Sequence, residues 1–259
     1  MKRMDFNGFA GNWPFFRVRN NTVEKLAALH SRCGIEGGFV SAPEAIFYQD
    51  PYEAELQLAS QLKDSGYMHA MTVNPTLPGW KDDLKRAVKD LDIKAVRIVP
   101  GFQGYTLQDS RLEELCGCLL AYGLPLIITL RMKDERTMYM LQPRSIPMEE
   151  LTEFLKTNKA LPTLVTHIRA AESEMLSPLF LERDNLFADI SGFKDGLFVL
   201  DRIVRETAAS GHLVYGSGAP LMEMQSTTMQ IDTAEISEAE KEEIFAGEKL
   251  LRYVPGKHA

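Results

Sequence analysis

Four side chains that could bind an anion or carry a proton stand at or just after short apolar runs of the sequence. Arg97, Arg131 and Arg169 accompany the runs AVRIV, LPLIITL and LPTLVTH, and His167 ends the last of these. Arginine is a permanently charged fork of N–H donors that binds carboxylates and phosphates. Histidine has an unperturbed pKa close to neutral pH. Asp189, after NLFA, is a second candidate base if burial raises its pKa. These residue types predict a site that binds a small anion and moves a proton.

The elements that must position these residues are short strands alternating with longer helical patterns, which is typical of repeated βα units. Eight strands are predicted, at Met4–Phe9, Gly37–Ser41, Met68–Asn74, Ala95–Val99, Leu124–Leu130, Thr163–His167, Leu186–Ile190 and His212–Ser217. Eight is the number that a closed parallel barrel requires. We therefore expect an α/β chain folded as one (β/α)8 TIM barrel over residues 1–259. The alternative is an open doubly wound sheet, but no G-x-G-x-x-G motif follows the first strand.

Helical patterns occupy the spaces between these strands. They are predicted at Thr22–Ser31, Tyr52–Ser65, Trp80–Leu91, Ser110–Tyr122, Met148–Thr157, Gly196–Ser210 and Glu238–Tyr253. Gly66, Gly123 and Gly211 stand where a helix should end in a left-handed residue. Ser237 and Glu240 have the spacing of a capping box for the last helix.

In a barrel the active site lies at the carboxyl ends of the strands. Besides the charged residues, five uncharged ones are placed there or in the following loops as substrate-binding candidates, namely Asn7, Trp13, Tyr105, Thr129 and Ser217. Trp13 and Tyr105 are expected to line an apolar pocket, the usual form of a small-molecule site. Strand alternation places Arg169 on the same side as His167, so Arg169 should face the barrel axis if His167 does.

Seven segments in register resemble the amidohydrolase-related (amidohydrolase 2) family. They are MDFNGFAG, AVRIVPGFQGY, GLPLIITL, LPTLVTHI, NLFADISGF, HLVYGSGAP and AEISEAEKEEIFAGEKLLRYV, and they cover nearly the whole chain. The resemblance implies a distorted (β/α)8 barrel and a hydrolase, decarboxylase or lactonase that acts on carboxylated rings. It also implies a metal held by an H-x-H on the first strand, by histidines after the fifth and sixth strands, and by an aspartate in a G-S-D-x-P motif.

This chain departs from the family's metal-binding pattern at most of those positions. Asn7 and Phe9 replace the H-x-H pair, Thr129 replaces the fifth-strand histidine, and Gly218 replaces the aspartate, while His167 remains. A divalent ion needs three or four converging histidine, carboxylate or thiolate ligands. We therefore expect no tightly bound metal and no other cofactor. The proton would then be moved by His167 or Asp189, and the arginines would bind a small carboxylate or another anion.

Other interpretations of the same residues stay open at this point. His167 could be a buried core imidazole, Asp189 could cap a turn, and the arginines could face the helices. The whole barrel could be a catalytically inactive relative that serves as a binding or regulatory module. A metal site rebuilt from Asp5, Asn7, His167 and Asp189 reproduces no ligand set that we can defend.

The composition excludes several other classes of function. The 259 residues are 45% hydrophobic and 25% charged, with a formal net charge of -7, which disfavours nucleic acid as a partner. No apolar run is long enough for a membrane span, so no membrane partner is expected. Three cysteines without paired spacing suit a reducing compartment, and we expect a cytoplasmic protein. Assembly into a homo-oligomer is left open.

Overall fold

The computed structural model describes residues 2–132, 143–194, 199–207 and 210–256. Within these ranges eight parallel strands pair in the order of the sequence, from β1 to β8. They are β1 Arg3–Phe9, β2 Ile35–Ser41, β3 Met68–Thr72, β4 Ala95–Ile98, β5 Leu126–Thr129, β6 Thr163–Thr166, β7 Leu186–Asp189 and β8 Leu213–Val214. The predicted (β/α)8 barrel is thus confirmed.

Helices connect the strands and form an outer shell. They are α1 Val23–His30, α2 Pro51–Leu62, α3 Trp80–Asp90, α4 Pro100–Gln103, α5 Arg111–Tyr122, α6 Met148–Thr157, α7 Ala170–Met175, α8 Ser177–Glu182, α9 Val199–Thr207, α10 Met224–Asp232, α11 Glu238–Ala246 and α12 Glu248–Leu251. Short 3-10 turns span Ser31–Cys33, Pro43–Ile46 and Ser210–His212. In this part of the chain, none of the helices has the length and apolar character needed to cross a lipid bilayer.

The barrel closes between its first and last strands by hydrogen bonds from individual residues. The Phe6 N–H donates to the Tyr215 carbonyl at 2.9 Å, and the Gly218 N–H donates to the Asn7 carbonyl at 2.9 Å. β8 is shorter than predicted because its backbone leaves the β7 ladder early. The Tyr215 N–H donates to the carbonyl of Ile244 in α11 rather than to a strand.

The helix boundaries differ from the predictions for local reasons. The capping box of Ser237 and Glu240 is confirmed at the start of α11. The continuous helix predicted over Glu238–Tyr253 is wrong, because Gly247 adopts a left-handed φ of 56° and separates α11 from α12. Gly123 ends α5 in a left-handed conformation as predicted, whereas Gly211 lies inside a 3-10 turn. Residues 196–198 and 208–209 of the helix predicted at Gly196–Ser210 lie outside the described residues.

Three apolar clusters divide the interior into layers. The largest lies between the strands and the helices of the shell. A second fills the amino-terminal half of the barrel with inward side chains such as Phe6, Phe39 and Phe187. A third covers the carboxyl ends of the strands and contains Phe9 and Trp13. Polar side chains occupy the level between the second and third clusters, and this level is the candidate site.

Candidate functional site

Arg97, on β4, is the centre of the site and is fully buried. Its Nε donates to Ser41 Oγ at 2.8 Å, and its Nη1 donates to Asn7 Oδ1 at 2.8 Å and to Thr129 Oγ1 at 2.6 Å. Burial lowers the pKa of Arg97 to about 10, so the guanidinium is still charged at neutral pH. Its Nη2 is buried and has no hydrogen-bond partner among the described residues. A buried cation with an unused donor is costly unless an anion or water satisfies it.

Asn7, on β1, joins the arginine to the two candidate acid–base residues. While its Oδ1 accepts from Arg97, its Nδ2 donates to Asp189 Oδ2 at 2.8 Å and lies 3.1 Å from His167 Nε2. An amide group has one oxygen acceptor and two N–H donors, so all three contacts can form together. The side chain of Asn7 therefore has one orientation only.

His167 is held as a neutral imidazole. Its Nδ1 contacts the Arg131 carbonyl, which can only accept, so Nδ1 carries the proton and Nε2 accepts from Asn7. Burial, followed by the positive charge of Arg97, lowers the pKa of His167 to about 3. Both ring nitrogens are engaged, so this residue is a poor proton carrier. The structure favours the core-imidazole interpretation over a catalytic one.

The backbone of His167 explains why it reaches the site although β6 ends one residue earlier. Its φ of 55° is left-handed, which costs energy for a residue with a side chain. The conformation is held by Asp189, whose Oδ1 accepts the His167 N–H at 2.8 Å. The alternation of side-chain directions along β6 therefore ends at His167. Arg169, predicted to point inward with His167, is accordingly exposed at the start of α7.

Asp189, on β7, is the group best suited to exchange a proton near neutral pH. It is fully buried, and this burial raises its pKa to about 7 in spite of hydrogen bonds from Ser191, the His167 backbone and Asn7. Ser191 Oγ donates to Asp189 Oδ2 at 2.7 Å. A carboxyl group with a pKa near 7 can act as either an acid or a base under physiological conditions.

An apolar layer covers these polar groups on the side of the strand ends. The Phe9 ring stacks on the His167 ring at 6.4 Å between centroids, and the Arg97 guanidinium carbon lies 4.7 Å from the Phe9 centroid. Trp13 is buried above it, in edge-to-face contact with Phe47 and Phe102. Trp13 therefore lies at the predicted mouth, packed within a cluster of aromatic rings.

Ser217 belongs to a second polar cluster beside the first. Its Oγ donates to Asp5 Oδ2, its N–H donates to Asp5 Oδ1 at 2.9 Å, and His30 Nε2 lies 2.9 Å from Asp5 Oδ2. Burial alone would raise the pKa of Asp5, but His30, Ser217 and the Asn7 N–H outweigh it and lower the pKa. Asp5 therefore ties β1 to α1 and to the segment that follows β8.

Arg131 and Tyr105 contact other parts of the barrel. Arg131 forms a bidentate ion pair with Glu172 of α7, in which Nη1 donates to Oε2 at 2.8 Å and Nη2 donates to Oε1 at 2.5 Å. Its Nη1 also donates to the His167 carbonyl at 3.2 Å. Sequence reasoning did not foresee this acidic partner. Tyr105 is buried in the shell, where its hydroxyl donates to Gln103 Oε1 at 3.0 Å.

Two polar residues of the site were missed from the sequence. Ser41 accepts from Arg97, and Thr166 Oγ1 lies 2.8 Å from Thr129 Oγ1 and 3.4 Å from Arg97 Nη1. Alternation could have found Thr166, because Leu164, two residues before it, faces the barrel interior.

The side chains at this level do not fit a divalent metal. Among the described residues no group of three or more histidine, cysteine, aspartate or glutamate side chains is arranged to hold one. His167 Nε2 meets an amide donor, and the Arg97 guanidinium supplies positive charge beside it. The rebuilt ligand set also fails, since Asp5 is committed to Ser217 and His30. A β-carbon on Gly218, where the resemblance places an aspartate, would lie 2.6 Å from His167 Nε2.

The chain resembles solved barrels in fold. An uncharacterized TIM-barrel protein from Bordetella bronchiseptica is 15% identical, with a TM-score of 0.71 over 98% of this chain and 99% of that one. A 2,6-dihydroxybenzoate decarboxylase from Rhizobium is 12% identical, with a TM-score of 0.71 over 97% and 98%. A dihydroxybenzoic acid decarboxylase from Polaromonas, solved with bound manganese and the inhibitor 2-nitroresorcinol, is 13% identical, with a TM-score of 0.73 over 97% and 96%.

Sequence comparison assigns the family. The family model for amidohydrolases, Amidohydro_2, matches residues 1–252. No curated protein matches the sequence of the chain. The protein therefore belongs to the amidohydrolase family.

Proposed function

We propose that the protein is an amidohydrolase-related lyase or hydrolase that acts on a small carboxylated substrate without a tightly bound metal. The observation that carries the proposal is the pairing of two buried groups through Asn7. One is Arg97, whose Nη2 lacks a partner among the described residues, and the other is Asp189, whose pKa burial raises to about 7. The decarboxylases of similar fold, which act on hydroxylated benzoates, make an aromatic carboxylate the first substrate class to test.

Each residue has a distinct role in this proposal. Arg97 Nη2 donates to a carboxylate oxygen of the substrate, which neutralises the buried guanidinium. In a decarboxylation, the bond from the ring carbon to the carboxyl carbon breaks, its electron pair stays on the ring carbon, and CO2 leaves. Protonated Asp189 then gives its proton to that carbon and becomes the carboxylate. In a hydrolysis, ionised Asp189 takes a proton from the attacking water, whose oxygen forms a bond to the ester carbonyl carbon. The bond from that carbon to the leaving alkoxide then breaks, and Asp189 returns the proton to the alkoxide.

Turnover assays on the chelated protein test the proposal. A panel of hydroxybenzoates and cyclic carboxylate esters is incubated with wild type, Asp189→Asn and, as a matched control, Asp92→Asn, which changes an exposed carboxylate. We expect turnover by wild type and the control and a loss of at least about a hundredfold in Asp189→Asn, the usual contribution of a general acid or base. Activity that survives unchanged in Asp189→Asn contradicts the assignment.

A non-catalytic binding barrel is the second candidate, and one observation favours it. Phe9 lies over both Arg97 and His167, and all three side chains are buried. If this layer never opens, the polar groups serve only to organise the core. Carboxylates that bind to wild type but are not converted, with binding unaffected by Asp189→Asn, would support this second function.

A further inference from the structure

A basic cavity lies in the loop between β1 and α1, outside the site built on Arg97. Its volume is about 650 Å³, which falls in the range of pockets for small organic ligands. Arg17, Arg19 and Lys25 line it, together with the aromatic residues Trp13 and Phe16. The three basic residues are exposed, so the cavity opens to solvent.

No acidic residue in the described ranges neutralises the charges of this cavity. In the part of the chain that the structure describes, no acidic side chain forms an ion pair with Arg17, Arg19 or Lys25, and no acidic residue lines the cavity. The neighbouring carboxylate of Glu44 accepts the Asn12 N–H at 3.0 Å instead. Three cations without an acidic partner among the described residues, in a protein of net charge -7, create a local positive field.

The uncharged groups of the lining add donors and an apolar surface. Asn21 Nδ2 donates to Asn12 Oδ1 at 2.8 Å, which fixes that amide and leaves the Asn12 amino group available as a donor. Trp13 is 4% exposed, and its Nε1–H has no partner among the described residues. Phe16 is only partly buried, and an aromatic ring beside a cluster of cations suits a ligand with a flat organic part and a charged end.

We infer that this cavity binds a small organic phosphate. The phosphate group would lie on Arg17, Arg19 and Lys25, because guanidinium groups bind phosphate oxygens through paired N–H donors. The organic part would lie against the partly exposed ring of Phe16. Trp13 also belongs to the apolar layer that covers Arg97, so an occupied cavity would contact that layer directly. The inference concerns a separate site and does not depend on the reaction proposed above.

Equilibrium binding tests the inference without requiring any turnover. Isothermal titration with phenyl phosphate, inorganic phosphate and phenol is performed on wild type, on Arg17→Ala/Arg19→Ala and on Arg32→Ala/Arg252→Ala. The last variant removes the same charge from two exposed arginines that do not line the cavity. Thermal unfolding checks that all three proteins are folded.

We expect phenyl phosphate to bind wild type and the control at least tenfold more tightly than inorganic phosphate or phenol does. The Arg17→Ala/Arg19→Ala variant should bind it at least tenfold more weakly than wild type. Absence of binding to wild type, an equal loss in the control variant, or inorganic phosphate binding as tightly as phenyl phosphate would each overturn the inference.

Discussion

At the scale of single residues, the side-chain amide of Asn7 connects the charged and titratable groups of the site. Asn7 accepts from a cation with its oxygen and donates to an imidazole and to a carboxyl group with its nitrogen. An aspartate side chain has no N–H donors, and a histidine ring has only two polar atoms. Neither could therefore make these three contacts at once. Asn7 therefore lets Arg97, His167 and Asp189 share one buried level, and this is why we regard it as the positioning residue of the site.

Replacement of Asn7 by leucine should destabilise the protein strongly. The apolar side chain leaves His167 Nε2 without a partner and removes one contact each from Arg97 and Asp189. Each buried polar group left unsatisfied costs about 1–3 kcal/mol, so we expect a loss of about 2–4 kcal/mol in the free energy of unfolding. Ser191→Ala, which removes a single hydrogen bond to Asp189, is the control and should cost about 1 kcal/mol. Equal effects in urea unfolding would contradict the bridging role.

Asp189 should make the protein less stable as the pH rises towards neutral. Its pKa is raised from 3.8 to about 7 in the folded state, so the folded protein binds more protons than the unfolded chain between these values. Stability then falls as the pH rises through that window, by as much as about 4 kcal/mol. Asp189→Asn should flatten this slope between pH 4 and pH 7. Urea unfolding at several pH values measures it, and parallel slopes for wild type and variant would show that Asp189 does not titrate there.

At the scale of elements, the joint between β1 and β8 depends on Asp5. Its carboxylate accepts from the Ser217 backbone and hydroxyl and contacts His30 of α1, so one side chain holds three elements together. The β1–β8 pairing has few backbone bonds, and this cluster compensates for them. We therefore place Asp5 among the residues that position the site, although it does not touch Arg97.

Asp5→Asn should weaken the barrel joint and change its response to acid. The folded state lowers the pKa of Asp5, so its contribution is present above the ordinary value of 3.8 and is lost as the pH falls through the folded value. At pH 7 we expect a loss of about 2–4 kcal/mol in the free energy of unfolding, since a buried charge network is broken. Asp92→Asn, at an exposed ion pair, should change stability by less than about 1 kcal/mol. A loss no greater than that of the control would refute the role of Asp5.

Restoring the aspartate of the family motif should destabilise this chain rather than repair a metal site. Gly218 has a φ of 69°, and a β-carbon there would lie 2.6 Å from His167 Nε2. Gly256 has a similar φ of 74°, but the nearest atom to a β-carbon there is Lys94 Nζ, at 3.5 Å. Gly218→Asp should therefore lower the melting temperature by several degrees more than Gly256→Asp. Equal shifts would mean that backbone conformation, not the contact with His167, decides the cost.

The elements could be predicted well from sequence, and their ends less well. Apolar runs at regular spacing locate all eight strands, because strands buried on both faces must be apolar almost throughout. β8 is cut short by hydrogen bonds from Tyr215 and Gly218 to α11 and β1, which no local pattern shows. The separation of α11 from α12 depends on the left-handed conformation of one glycine within a continuous helical pattern.

The site could be predicted only in part, for a similar reason. Strand position brings Asn7, Arg97, Thr129 and Asp189 to one level of the barrel, as expected. The left-handed φ of His167 then breaks the alternation on which the orientation of Arg169 depended. The Glu172 partner of Arg131 comes from a helix that the sequence analysis did not predict.

At the scale of the whole molecule, the protein combines the barrel of the amidohydrolase family with a buried polar level centred on Arg97. The buried guanidinium of Arg97 stands among neutral and carboxyl groups. The apolar clusters above and below shield this charge from water. In such surroundings a nearby divalent cation would be repelled strongly, because electrostatic interactions are larger at low dielectric constant.

Titration of the chelated protein with Mn²⁺ and Zn²⁺ measures whether the chain binds a divalent metal ion. Calorimetry measures the number of ions that bind per chain, and elemental analysis measures the ions in the protein as purified. The His167→Ala variant distinguishes binding at the buried level, which it should remove, from weak binding at the surface, which it should leave unchanged. We expect less than one ion per chain in the protein as purified, and no saturable metal binding that the His167→Ala substitution removes. One tightly bound ion per wild-type chain, lost in that variant, would contradict it.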